Sequence, residues 1–204
     1  SFDNVVVAHG GKNGWANLYV NSGAQASVTN STLRQSATGG LIAEGSVSLS
    51  AFAANEFREN EGAAVYVPTT VLGSVDAAST YVGDNGTDAV RVFSEDVEDD
   101  ATWAAVPYRF DGQNHRLFGA VSVEPGATFR FGQGARITVK DGGSFTAEGS
   151  GDAPITFEGE TASPGHWEGI RLRSNNPDNS FDNVVVAHGG KNGWANLYVN
   201  SGAQ

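Results

Sequence analysis

Short runs with apolar residues at alternate positions recur along this chain, and clusters of Gly, Asn, Asp and Ser separate them. Leu18–Val20, Leu41–Ala43, Val65–Val67 and Val90–Val92 begin 23, 24 and 25 residues apart. A second series precedes them, in the related strings NVVVAHGG, TLRQSATGG and EFRENEGAA. It places Val5, Leu33 and Phe57 at offsets of 28 and 24. Alternation with period 2 predicts strands. Two series that step together at about 24 residues predict a coil returning to the same lateral position on each turn, so that like residues stack inside. The predicted core ladders are Val5–Leu33–Phe57 and Leu18–Leu41–Val65–Val90. A β-sandwich has strands but no need of this longer period. No stretch carries an i, i+3, i+4, i+7 stripe over three turns, which excludes a helical repeat. The predicted fold is therefore all-β, a parallel β-helix of about seven to eight coils.

A longer repeat encloses the short one. Residues 1–25, SFDNVVVAHGGKNGWANLYVNSGAQ, recur without a mismatch as residues 180–204, an offset of 179. Independent drift would have left substitutions at exposed Asn, Lys and Ser. Three origins fit: an array of near-identical 179-residue units, an engineered overlap, or a filament seen over slightly more than one period. Each implies that the unit continues into another copy of itself. Residues 1–204 read as one continuous β-helix, with a segment junction near 94–120. At ~4.8 Å per stacked strand, about seven coils give each unit a rise of roughly 35 Å. Open end coils leave N–H and C=O groups unpaired, and an identical neighbouring coil would satisfy them.

Composition narrows the picture. Apolar residues make up 39% and charged residues 17%, the balance of a folded chain. The 27 glycines follow no Gly-X-Y period and fall where turns are expected, beside Asn13, Asn85, Asp111 and Asp141. A net charge of −11, with Lys12, Lys140 and Lys191 the only lysines, argues against nucleic acid or anionic membranes as partners. The chain has no cysteine, which removes disulfides, thiolate metal sites and cysteine catalysis. It has no Met, so it reads as a mature product, a fragment or a segment, with any export signal or anchor outside it. No apolar run approaches 18 residues, so no membrane insertion is expected here.

One stretch carries a family resemblance. Ala101-Thr-Trp103 and Pro107-Tyr108 are followed by VSVEPGATFRFGQGARITVKDGGSFTAEGSGDAPITF (121–157) and by Gly165-His-Trp-Glu-Gly-Ile170. This order resembles bacterial and archaeal cell-surface proteins with right-handed parallel β-helix repeats. In that family a Trp…Pro-Tyr piece opens a helical segment, a Pro-Gly…Phe-Gly-x-Gly piece winds its first coils, and a Trp-x-Gly-Ile strand follows an insertion. Val123–Gly126 and Phe131–Gly134 fill those places here. The resemblance implies the solenoid fold and an extracellular, cell-surface setting. It implies no particular activity.

Enzymes on this fold set Asp, Arg, Lys or His together on one exposed face, to hold Ca²⁺ or to act as acid and base. The outward row beside the second ladder is instead Tyr19, Ile42, Tyr66 and Arg91. There is no Gly-x-Ser-x-Gly elbow, and His9 and His188, in Ala-His-Gly-Gly, read as turn residues. No catalytic residue is therefore assigned, and a polysaccharide lyase or hydrolase is the third reading. The acidic run Glu95, Asp96, Glu98, Asp99 and Asp100 is the candidate cation site, with Ca²⁺ the fitting ion. A solvated loop is the competing reading, and the spacing favours it. Tyr19 and Tyr66 are the candidate carbohydrate contacts, by stacking. Trp103 and Trp167 read as structural, and Trp15 and Trp194 as packed beneath a loop. Asn30-Ser-Thr32 and Asn85-Gly-Thr87 match the glycosylation sequon. Regular Thr-x-Thr strands are absent, which argues against ice binding.

The leading expectation is a structural module of an extracellular fibre or stalk, stacked end to end with identical copies. An adhesin segment that binds carbohydrate or cations along its face is the alternative.

Overall fold

A computed structural model describes residues 1–200 and shows a parallel β-solenoid of about 8 turns, roughly 24 residues each. The described residues divide into two compact units, one up to residue 92 and one from residue 93 onward.

The first unit contains β1 (Phe2–Asp3), β2 (Val6–Ala8), β3 (Leu18–Val20), β4 (Gln25–Thr29), β5 (Thr32–Arg34), β6 (Leu41–Ala43), β7 (Ser48–Ala53), β8 (Glu56–Arg58), β9 (Ala63–Pro68) and β10 (Thr87–Phe93). Successive coils lay these strands on three faces, in the orders β1-β4-β7, β2-β5-β8 and β3-β6-β9-β10. The second unit contains β11 (Ala101–Trp103), β12 (Pro107–Phe110), β13 (Asn114–Leu117), β14 (Ala120–Val123), β15 (Thr128–Phe131), β16 (Arg136–Val139), β17 (Ser144–Glu148), β18 (Ile155–Gly159), β19 (Gly169–Leu172), β20 (Ser180–Asp182), β21 (Val184–Ala187) and β22 (Leu197–Val199). Its faces are β11-β14-β17-β20, β12-β15-β18-β21 and β13-β16-β19-β22.

The predicted ladder on the third face is present from Leu18 to Val65. Leu18 pairs with Leu41 and Leu41 with Val65, all in parallel register. Leu41, Val65 and Val90 are fully buried. The other ladder needs a correction. Leu33 pairs with Phe57 as expected, but the residue opposite Leu33 is Val7 rather than Val5. Three consecutive valines make a period-2 pattern degenerate, because a shift of two residues keeps the same parity. Val5 instead lies at the preceding corner, where its N–H donates to Ser31 Oγ and its carbonyl accepts from Thr32 N–H.

Those corners carry the polar part of the fold. Ser31, Asn55 and Ser79 stack 24 residues apart and are buried, as are Ser36 and Asn60. Asn55 accepts from Ser31 N–H and donates to the Val28 carbonyl, while its own N–H donates to Ser79 Oγ. Asn60 accepts from Ser36 N–H and donates to the Leu33 carbonyl and to Asn85 Oδ1. A coil that turns inside a stack leaves its corner amides without a ladder partner. Side-chain amides of matching reach satisfy them.

The second unit is filled by aromatic rings. Tyr108, Phe129 and Phe157 lie in register on β12, β15 and β18, with centroids 4.8 and 4.7 Å apart. Phe131 stacks on Trp167 at 4.0 Å. Trp103 and Trp167 are fully buried, as expected.

His115 is also fully buried, against Phe110 with centroids 4.5 Å apart, and its Nε2 lies 3.2 Å from the Asp111 carbonyl. Burial holds its pKa down from 6.5 to about 4, although the Asp111 carbonyl and carboxylate work the other way. The folded state thus refuses a proton that the unfolded chain accepts. The stabilisation is complete above about 6.5 and is lost as pH falls towards about 4, a change on the order of 3 kcal/mol. Urea unfolding at stepped pH checks this, and His115→Phe should flatten the slope over that window.

Candidate functional site

The acidic run does not gather into one site. Val97 is buried between its carboxylates and bridges to Leu117, and the acidic residues around it meet separate partners or solvent. Asp96 pairs with Arg116 at 2.7 Å. Asp100 accepts from Ala120 N–H at 2.8 Å. Glu98 and Asp99 are exposed, whereas Glu95 is half-buried. Among the described residues, no three His, Asp or Glu side chains converge where a metal ion could be held. We assign no cation to this run.

Tyr19 and Tyr66 do share a row, with Ile42 between them in register. Both rings are already engaged. Tyr66 lies under the Arg91 guanidinium, 4.7 Å from the ring centroid. Tyr19 meets Trp15 edge-on at 4.6 Å and donates its hydroxyl to Glu44, which raises its pKa. Trp15 is 56% exposed, so it packs on Tyr19 in the open rather than beneath a loop. Ile42 is buried, which leaves no continuous ring platform along the row.

A groove that the sequence did not announce opens on the face β11-β14-β17-β20. Its volume is about 710 Å³. Thr102 pairs with Ser122, Ser122 with Thr146 and Thr146 with Ser180, one hydroxyl per coil at the strand spacing. Thr102 and Ser122 hydroxyls lie 2.9 Å apart, and Thr146 donates to the Asp178 carbonyl at 2.8 Å. Asp100, Glu148 and Asp178 add carboxylates to the lining. Such a surface can exchange hydrogen bonds with a hydroxyl-rich polymer. Within a strand these residues look unremarkable. Their offsets of 20, 24 and 34 vary with the loops between coils, so no fixed period reveals them.

The repeated coil is the other feature of note. Its left-handed turn positions recur in both copies: φ is 55° and 47° at Asn4 and Asn183, 61° and 65° at His9 and His188, and 60° at both Asn13 and Asn192. The two histidines are turn residues, as expected. Gly11 and Gly190 take φ of 85° and 94°, a left-handed conformation that disfavours a side chain. In each copy an Asn side chain, Asn17 or Asn196, accepts from the N–H of Gly10 or Gly189. The coil therefore carries its own conformational instructions.

Comparison with known proteins finds no matching family model, no matching curated protein and no matching solved structure. The class defined here is a parallel β-solenoid with a repeated coil. Among the described residues, no helix is long and apolar enough to cross a membrane.

Proposed function

We propose that this protein is a non-catalytic structural module of an extracellular fibre or stalk, in which 179-residue units stack end to end. One observation carries the reading. Among the described residues, every exposed large apolar side chain except Val82 belongs to a copy of the repeated coil: Phe2, Val6, Trp15, Val185, Leu197, Tyr198 and Val199. Apolar surface concentrated on a sheet edge with unpaired backbone groups favours addition of another strand layer. The cell-surface setting rests on the resemblance of residues 101–170 to surface β-helix repeats. The acidic balance suits a solvated exterior. Electron microscopy tests the proposal. Rods with an axial repeat near 35 Å, seven-odd turns at ~4.8 Å, are expected, and discrete particles without axial periodicity would overturn it. The mass of the intact native polypeptide separates covalent arrays from chains that meet end to end.

The groove favours a second reading, an adhesin segment that holds a neutral glycan by its hydroxyls. Binding on a glycan array should fall about 5- to 150-fold in the double variant Ser122→Val/Thr146→Val, because each lost hydrogen bond costs about 0.5–1.5 kcal/mol. It should be unchanged in Tyr66→Phe. Absence of binding by the unaltered chain would remove this reading and leave the first intact.

A further inference from the structure

We propose that adjacent units share one coil: residues 180–204 of one unit are also the first coil of the next, and the coil equivalent to residues 26–48 of that second copy docks on them. The inference rests on the stacking reading and specifies its joint. The two copies of this coil are seen with different neighbours. Residues 1–21 carry the following coil, through β1-β4, β2-β5 and β3-β6. Residues 180–200 rest on the preceding one, through β17-β20, β18-β21 and β19-β22.

The backbone groups divide cleanly. Asn4, His9 and Asn17 donate their N–H to Thr29, Arg34 and Gly39 of the following coil. In the other copy the same residues use their carbonyls: Asn183, His188 and Asn196 accept from Ile155, His166 and Ile170 of the preceding coil. The carbonyl of Gly10 and Gly189 is used in both views, by Ala37 and Gly165, and its two lone pairs admit both.

The core columns also run through. Ile170 pairs with Leu197, whose copy Leu18 pairs with Leu41. Phe157 pairs with Val186, whose copy Val7 pairs with Leu33. Ala147 pairs with Phe181, whose copy Phe2 pairs with Val28. All three columns stay apolar across the joint, so the shared coil would be buried on both sides.

Charge gives the joint a direction. On the preceding side, the Arg171 guanidinium lies 3.5 Å from the centre of Trp194 and 5.7 Å from that of Tyr198. On the following side, Glu44 accepts the hydroxyl of Tyr19. The shared coil is neutral, Asp3 offsetting Lys12, and its aromatic pair stands between a cation before it and an anion after it.

The test is a two-unit chain in which Gln204 is followed by a second copy of residues 26–204, compared with the 204-residue chain by hydrogen exchange. The amides of Asn183, His188 and Asn196 should slow at least about 100-fold in the two-unit chain, as exposed edge groups gain partners. Unchanged rates at those three amides, with Phe129 protected in both units, would overturn the shared coil. As an independent measure, Asp182→Cys with the second copy's Thr29→Cys should close one intrachain disulfide, because Asp3 pairs with Thr29 and no other cysteine competes. Thiols that stay free under mild oxidation count against the joint. Imaging of the native array separates the two levels. A repeat nearer 40 Å, as two abutting coils would give at ~4.8 Å per coil, keeps the fibre and discards the shared coil. Discrete particles discard both.

Discussion

Phe129→Ala is expected to destabilise the second unit by about 3–5 kcal/mol, the cost of opening a large cavity in an aromatic core. Phe129 is fully buried on β15, between Tyr108 and Phe157 with near-parallel planes, 11° and 14° from each. Trp103 and Phe110 flank it at 5.9 and 5.8 Å. Each of these rings belongs to a hydrogen-bonded strand: β15 and β18 are paired on both sides, β12 with β15, and β11 with β14. None can move inward without breaking register, so the cavity persists. Urea unfolding followed by tryptophan fluorescence reads the effect, since Trp103 and Trp167 are both buried. Phe129→Leu keeps most of the volume and should cost about 1–2 kcal/mol. Arg130→Ala, on the outward side of the same strand, should change stability by less than about 0.5 kcal/mol. Arg130 is 70% exposed, and its ion pair with Glu158, at 3.4 Å, is a surface contact. A loss at Phe129 no larger than that at Arg130 would mean that the aromatic column does not hold the unit together.

The contrast between those neighbours also explains what could be read from the chain. Leu18, Leu41 and Val65 are recoverable because each opens a short apolar run at nearly constant spacing, and their register is as expected. Val5 misled because Val5, Val6 and Val7 offer two inward choices, and loop length decides between them. Pairing turns on where the chain bends, which a run of like residues does not mark. The groove hydroxyls were hidden for a related reason. Thr102, Ser122, Thr146 and Ser180 align only after loops of unequal length are folded away. The acidic run does not converge in the fold, because charge density along a sequence is not charge density in space. Val97 is turned inward, Asp96 pairs with Arg116 and Asp100 accepts from Ala120 N–H, so the carboxylates are drawn to separate partners. The polar corners were within reach. Ser31, Asn55 and Ser79 keep a spacing of 24, but a search for apolar ladders passes over them.

Those corners make the second large prediction. Asn60→Leu, close to isosteric, should destabilise the first unit by about 1–4 kcal/mol net, although it adds apolar volume to the interior. Asn60 is 1% exposed. Its Oδ1 accepts from Ser36 N–H at 3.0 Å, and its Nδ2 donates to the Leu33 carbonyl at 3.1 Å and to Asn85 Oδ1 at 2.8 Å. Leucine would strand a buried donor and a buried acceptor of the coil below, at about 1–3 kcal/mol each. The gain from burying a few more methyl groups, about 0.8 kcal/mol apiece, does not offset both. The same substitution at an exposed corner, Asn21→Leu, should be close to neutral, because water replaces what the side chain supplied. Hydrogen exchange locates the damage: the Ser36 amide should lose protection before those of β9, since the missing acceptor is local. If Asn60→Leu proved as stable as the unaltered protein, the corner ladders would be fillers. The coils would then be held by their apolar columns alone.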